Sequence, residues 1–176
     1  MKIVQWTLAV VGIIALAIVG AGFLLPSQYQ VARSIVVKAP AAQVYDFIAD
    51  PRQWARWSAW NRRDPDMEVR YGGPPFGQGA KWSWNSRTEG SGNMVFTSVE
   101  PNKRVVYALS FPEFGMKSAG EFTLHQGPAG TLVTWTTGGD VGPNPLKHYL
   151  AWQMDAMVGP DFEDGLAGLK AVAEGR

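Results

Sequence analysis

The sequence predicts an α+β fold: a curved antiparallel sheet around a long C-terminal helix, preceded by one apolar N-terminal helix. Three patterns predict it. From Ile3 to Ala32 there is no Asp, Glu, Lys or Arg. From Met67 to Gly138 apolar residues recur at every second position between turn signals. After Pro145 the apolar period becomes helical and continues towards the C-terminus.

The N-terminal run, Trp6 to Leu25, carries Thr7 as its only polar side chain. At about 1.5 Å per residue it spans roughly 30 Å, the thickness of one hydrocarbon core. Trp6 and Tyr29 flank it, aromatic residues of the kind that favour the headgroup zone, and Pro26 marks its exit. A buried core helix would show a polar stripe, and this run has none. Met1-Lys2 and the small residues Val19-Gly20-Ala21 also fit a cleaved signal peptide, although the run exceeds the usual ~7–15-residue apolar region of one. The expectation is a retained single-pass anchor spanning the membrane through residues 6–25, with secretion after cleavage as the alternative. Residues 1–29 form the anchor and a short linker, and residues 30–176 one domain. Lys2 with the terminal amine balances Arg33 with Lys38, so positive charge does not orient the span. The very short N-terminal flank places the domain on the extracytoplasmic side.

The first strand is Gln30 to Lys38, rich in β-branched residues. Pro40 then opens a short amphipathic helix with Val44, Phe47 and Ile48 on one face. Asp50-Pro51 breaks it, and Pro51 starts a second helix carrying Trp54 and Trp57, followed by Trp60. Met67–Tyr71 is a strand closed by Gly72-Gly73-Pro74-Pro75. Five further segments alternate: Ala80/Trp82/Trp84, then Met94/Phe96 beyond Glu89-Gly90, Val105/Tyr107/Leu109/Phe111, Gly120/Phe122/Leu124, and Val133/Trp135/Thr137. Pro101-Asn102, Pro112–Gly115 and Gln126–Gly130 turn the chain between them, which makes an antiparallel meander with one apolar face. In the last helix Leu146, Tyr149, Leu150, Gln153 and Met157 share a face, and Phe162, Leu166, Leu169 and Ala173 continue the stripe. Gly159-Pro160 predicts a bend.

Composition excludes several chemistries. The 176 residues hold 16 Lys and Arg against 15 Asp and Glu, a formal charge of +1, too small a basic excess for nucleic acid as a partner. The absence of cysteine removes disulfides, thiolate metal sites and a thiol nucleophile. Two histidines in no ligand spacing, His125 and His148, predict no metal. There is no Gly-x-Ser-x-Gly elbow. The glycine-rich segment 72–79 holds two prolines, which lack the N–H donors a phosphate cradle needs; it reads instead as a turn that gates a cavity. No cofactor is expected.

Four segments carry a family resemblance. RSIVVKAPAAQVYDFIADPRQWARWSAW (33–60) resembles the opening of the START-like, polyketide cyclase/dehydrase superfamily, also called SRPBCC. VEPNKRVVYAL (99–109), GTLVTWTTGGDVG (130–142) and MVGPDFEDGLAGLK (157–170) are similar to its membrane-anchored branch. Ser58-Ala59-Trp60 departs from the Ser-Pro-Trp common in that branch. The resemblance implies the helix-grip fold and a deep hydrophobic pocket; members bind lipids, sterols, hormones or polyketides, and some are cyclases. It implies no particular reaction.

The expected pocket lining is Trp82, Trp84, Met94, Phe96, Tyr107, Phe111, Phe122 and Trp135 from the sheet, with Met154, Met157 and Phe162 from the helix. The same residues also serve as an ordinary core. Trp54, Trp57 and Trp60, at i, i+3, i+6, are a lid at the pocket mouth, a packing cluster or a bilayer contact. The leading function is a membrane-tethered binder or carrier of a lipid-like molecule. A cyclase- or dehydratase-like enzyme needs one of Asp46, Tyr107, Glu121, His148 or Asp155 inside the cavity. Asp140 reads as a loop cap. The third alternative is an envelope interaction or chaperone-like module, favoured by an exposed apolar patch without a cavity.

Overall fold

The computed structural model describes residues 2–175. Helix α1 runs over Lys2–Gly22, and strand β1 over Gln28–Val37, two residues ahead of the predicted start. Helix α2 (Ala41–Ala49) follows Pro40, whose extended backbone sets the entry. Asp50 ends it: its carboxylate accepts from the Arg52 N–H at 2.9 Å and starts a 3-10 segment, Pro51–Arg56. The chain breaks at Trp57-Ser58 and forms a further short helix, α3 (Ala59–Arg63), which periodicity alone does not reveal.

Six strands then follow: β2 (Glu68–Gly72), β3 (Lys81–Ser86), β4 (Gly90–Glu100), β5 (Arg104–Phe111), β6 (Met116–Gly127) and β7 (Gly130–Asp140). The sheet order is β1-β7-β6-β5-β4-β3-β2, with every neighbouring pair antiparallel. Thus the meander predicted from the period of two is present, and β1 closes onto its last strand. The β4–β5 turn places Asn102 at φ 63°, a left-handed conformation that Asn tolerates better than most residues. A register shift between Phe96 and Ser98 bends β4.

Helix α4 (Pro145–Ala173) lies in the concavity of the sheet. Asn144 caps it by accepting from the Leu146 N–H at 3.0 Å, with Pro145 at N1. The helix is one element through Gly159-Pro160. Gly159 has a packing reason: the guanidinium of Arg33, from β1, crosses the helix there to reach Asp155 at 2.8 Å and Glu163 at 2.6 Å. A Cβ on Gly159 would stand 2.1 Å from that group.

The second half of the helix buries Phe162, Leu166, Leu169 and Ala173 as its pattern predicts. Its first half does not follow the predicted face. Leu146 and Met157 are each 55% exposed, and the inner face is His148, Ala151 and Met154. Among the described residues one helix is long and apolar enough to cross a membrane, Ile3–Gly22, and it is exposed along almost all of its length up to Gly22, which is buried against α4. That length and composition fit a membrane span or a signal sequence.

Candidate ligand cavity

The middle of the grip is filled with aromatic rings. Trp135 of β7 lies between Phe122 of β6, stacked at 4.7 Å, and Phe162 of α4. Trp54 and Trp57 meet this stack edge-on. Their indole N–H groups donate to the carbonyls of Ile48 (2.9 Å) and Phe47 (3.0 Å). Those oxygens lie in the last turn of α2, where helical partners run out, so the two indoles satisfy groups the helix itself leaves orphaned. Trp57 is 0% exposed. Trp54 and Trp57 are therefore a packing cluster rather than a mobile lid. Trp60 differs: it is half-buried and donates from Nε1 to Asp161 Oδ2 at 3.0 Å.

Beside this stack lies a cavity of ≈ 190 Å³. One wall is the sheet, from Val69 and Tyr71 through Trp82, Trp84, Tyr107, Leu109, Phe111, Met116 and Ser118 to Thr137 and Tyr29. The opposite wall is Met154, Val158 and Phe162 of α4, and a third side is Trp54, Ser58, Trp60 and Asn61. Of the expected lining, Trp82, Trp84, Tyr107, Phe111, Met154 and Phe162 border the cavity. Met94, Phe96, Phe122 and Trp135 are buried in the core beside it and do not border it: Phe122 and Trp135 belong to the stack itself, and Phe96 packs on Trp54 and Trp82. Met157 points outward, since the inner face of α4 at that level is taken by Met154 and Val158.

Several wall residues lie outside the expected set. Leu109 and Thr137 continue alternations already visible in the sequence, and Val69 and Tyr71 sit on the edge strand. Glu89 and Asp161 are the charged side chains on the wall. Both pair with Arg63: Nη2 reaches Glu89 Oε2 at 2.7 Å and Asp161 Oδ2 at 3.1 Å. No local spacing announces this cluster. The glycine-rich segment 72–79 does not gate the cavity. Gly77 N donates to Ala49 O at 2.9 Å and Gly79 N to Phe96 O at 2.8 Å, and the segment borders none of the wall beyond Tyr71.

The groups an enzyme would need are mostly engaged elsewhere. Glu121 pairs with Arg104, Asp155 with Arg33, Asp46 is exposed, and Asp140 caps the loop by accepting from Gly142 N at 2.7 Å. That hydrogen bond holds the Asp140 carboxyl below its ordinary value. His148 faces two backbone carbonyls, Gly22 O at 2.9 Å and Gly142 O at 3.0 Å. Tyr107 does border the cavity, but its hydroxyl accepts from Trp135 Nε1 at 2.9 Å and donates to Thr136 O at 3.3 Å. Burial pushes its pKa up to about 12, so it is a neutral hydroxyl rather than a base. Burial also raises Tyr29, against a hydrogen bond with Ser118. Among the described residues no group of three His, Asp or Glu side chains comes together to hold a metal ion.

A seven-stranded antiparallel sheet gripping a long helix, with an apolar cavity between them, defines a helix-grip pocket protein. Residues 28–174 match the family described as polyketide cyclase / dehydrase and lipid transport, and the chain belongs to that family. Solved structures share the fold. A Staphylococcus aureus protein of unknown function, SA2116, aligns with TM-score 0.64 at 14% identity, covering 84% of this chain and 94% of that one. The Aha1 dimer from Colwellia psychrerythraea aligns with TM-score 0.59 at 18% identity, covering 82% and 96%. The di-domain ARO/CYC protein BexL, from the BE-7585A biosynthetic pathway, aligns with TM-score 0.60 at 18% identity, covering 85% of this chain and 51% of that one. No curated protein matches the sequence.

Proposed function

We propose that the protein is a membrane-tethered binder or carrier that holds a lipid-like hydrophobic molecule in the cavity between sheet and α4. The observation that carries this is the cavity wall: rings, methionines and aliphatic side chains, with hydroxyls at Tyr29, Tyr107, Ser118 and Thr137 and a carboxylate corner at Glu89 and Asp161. Such a wall takes an apolar body with a polar end. Family membership supports it. The volume bounds the cargo. An engineered cavity of about 150 Å³ holds benzene, and drug-sized pockets run to about 300–1,000 Å³. At ≈ 190 Å³ the cavity takes a single ring system or part of one chain, not a diacyl lipid. In this reading α1 is the retained anchor, residues 1–29 tether the 30–176 domain, and that domain lies on the extracytoplasmic side.

The test uses the full chain in nanodiscs titrated with 1-naphthylamine, a neutral fluorescent probe of one ring system, with Leu109→Trp as a cavity-filling control. Saturable emission above that of empty nanodiscs, lost in the control, is expected. Emission that is non-saturable or equal in the control would sink the proposal. An enzymatic role gains less support, since Glu89 and Asp161 are held by Arg63 and Tyr107 is locked between Trp135 and Thr136.

A further inference from the structure

The first half of α4 is apolar on two sides. Its inner face, Met154 and Val158, lines the cavity. Its outer face carries Leu146 at 55%, Trp152 at 63% and Met157 at 55% exposure. Between His148 and Gly159 the single charged residue is Asp155, and Arg33 binds it. Two successive turns of apolar surface turned to water are costly on a water-soluble face and mark a contact surface.

The position of α1 says what covers it. Its last turn docks on the start of this same helix. Tyr149 Oη donates to Ile18 O at 2.7 Å, and His148 Nδ1 lies 2.9 Å from Gly22 O. Gly22 sits flush on Pro145, where any Cβ would come within 2.4 Å of the Pro145 carbonyl oxygen. Pro145, Tyr149 and Trp152 fall at i, i+4 and i+7, so Trp152 continues the line along which α1 docks. Phe23 and Leu24, just past that turn, are 66% and 87% exposed. Exposed apolar side chains thus flank the α1–α4 contact, Phe23 and Leu24 just past α1 and Leu146 and Trp152 on α4. In a span over Ile3–Gly22, the Ile18–Gly22 turn falls at the boundary of the hydrocarbon core. There Tyr149, bonded to Ile18 O, stands in the zone where aromatic side chains anchor, and Trp152 follows one turn further along α4.

We propose that the outer face of the N-terminal half of α4, centred on Leu146, Trp152 and Met157, lies in the headgroup region of the bilayer that α1 enters. The inference rests on the anchor of the proposed function. It adds that the domain does not swing freely on its linker. The cavity stands one helix diameter, about 10 Å, from the lipid, behind Met154 and Val158.

The absence of cysteine makes the test clean, because single-cysteine variants of the full chain can be spin-labelled at one site. Leu146→Cys, Trp152→Cys and Met157→Cys are compared with Lys103→Cys in the β4–β5 turn, all in phosphatidylcholine vesicles. These positions are exposed, so the variants keep their fold. The expected result is that labels at 146, 152 and 157 are more accessible to oxygen than to a water-soluble nickel complex, while the label at 103 shows the reverse. Nickel accessibility at all four positions, in a chain that resists alkaline carbonate extraction, would overturn the inference and leave the anchor standing. Release of the full chain by carbonate, or its recovery with residues 1–21 cleaved off, overturns the anchor, and the inference with it. Spin–spin broadening at Trp152→Cys also overturns it, by showing a second copy on this face.

Discussion

The indole of Trp135 on β7 and the ring of Phe162 on α4 are stacked, with centroids 3.9 Å apart and planes 8° from parallel. This contact fastens the helix to the middle of the sheet. It also sets where the cavity lies, since Phe162 forms part of the cavity wall on one side and meets Trp135 on the other. Phe162→Ala removes a ring that is 2% exposed and leaves a void beside an existing one. The expected loss is about 3–5 kcal/mol, as for other buried Phe→Ala changes. Urea unfolding checks it, with Phe162→Leu recovering part of the loss. A loss below about 1 kcal/mol would show that the stack does not hold the grip together.

Tyr107 gives a pH signature. Burial raises its pKa to about 12 from an unfolded value near 10. A raised folded pKa means that the neutral form is favoured by folding. The contribution is complete below about pH 10 and is lost as pH rises from 10 towards 12. Stability is therefore expected to fall across that window, and Tyr107→Phe to flatten the fall. Phenolate absorbance at alkaline pH, read beside unfolding, separates Tyr107 from the more exposed tyrosines. The same variant leaves the buried Trp135 N–H without its acceptor, at a cost of about 1–3 kcal/mol at neutral pH.

The strands were legible because one face of each is buried and the other wet, so the period of two survives. The second half of α4 was legible for the same reason. Its first half was not: a helix with cavity on one side and an exposed apolar stripe on the other offers periodicity two faces to choose from, and Leu146 and Met157 belong to the outer one. Trp54, Trp57 and Trp60 share one side of a single helix in sequence. The chain instead makes a 3-10 segment, breaks at Trp57-Ser58 and restarts, so Trp57 is sealed in the core under α2, Trp54 reaches from that core to the cavity wall, and Trp60 faces the cavity. Glu89 and Asp161 meet at Arg63 only through the fold, since Arg63 and Asp161 are 98 residues apart.

Gly168 tests how closely α4 approaches the segment under it. A Cβ there would lie 2.4 Å from the carbonyl oxygen of Trp57, a backbone atom fixed by the tryptophan cluster. Alanine favours a helix interior over glycine by about 1 kcal/mol. Overlap with backbone outweighs that gain, so Gly168→Ala is expected to destabilise by about 1–3 kcal/mol. Gly159→Ala meets only the far end of Arg33, which can swing aside, and is expected to cost less. Thermal unfolding of the two variants side by side decides it. An increase in stability for Gly168→Ala would mean that the helix stands further from Trp57 than described.

The charged corner of the cavity predicts the sign of ligand preference. Glu89 and Asp161 border the cavity, and one guanidinium, Arg63, serves both, leaving a net charge of −1 there. The two carboxylates hold the Arg63 pKa well above its ordinary range, so the cation stays in place. A ligand carboxylate brought to this corner meets that surplus negative charge. At an effective dielectric constant near 20 and a separation of roughly 8 Å, the repulsion is about 2 kcal/mol before screening, or about tenfold or more in affinity. A medium-chain fatty alcohol is therefore expected to displace 1-naphthylamine at about tenfold lower concentration than the fatty acid of equal length at pH 7. Glu89→Gln keeps an oxygen facing Arg63 while removing the excess charge, and should bring the two ligands towards parity. Equal displacement by acid and alcohol in the unaltered chain would show that the polar end of the ligand lies elsewhere, at the hydroxyls of Tyr29 and Ser118.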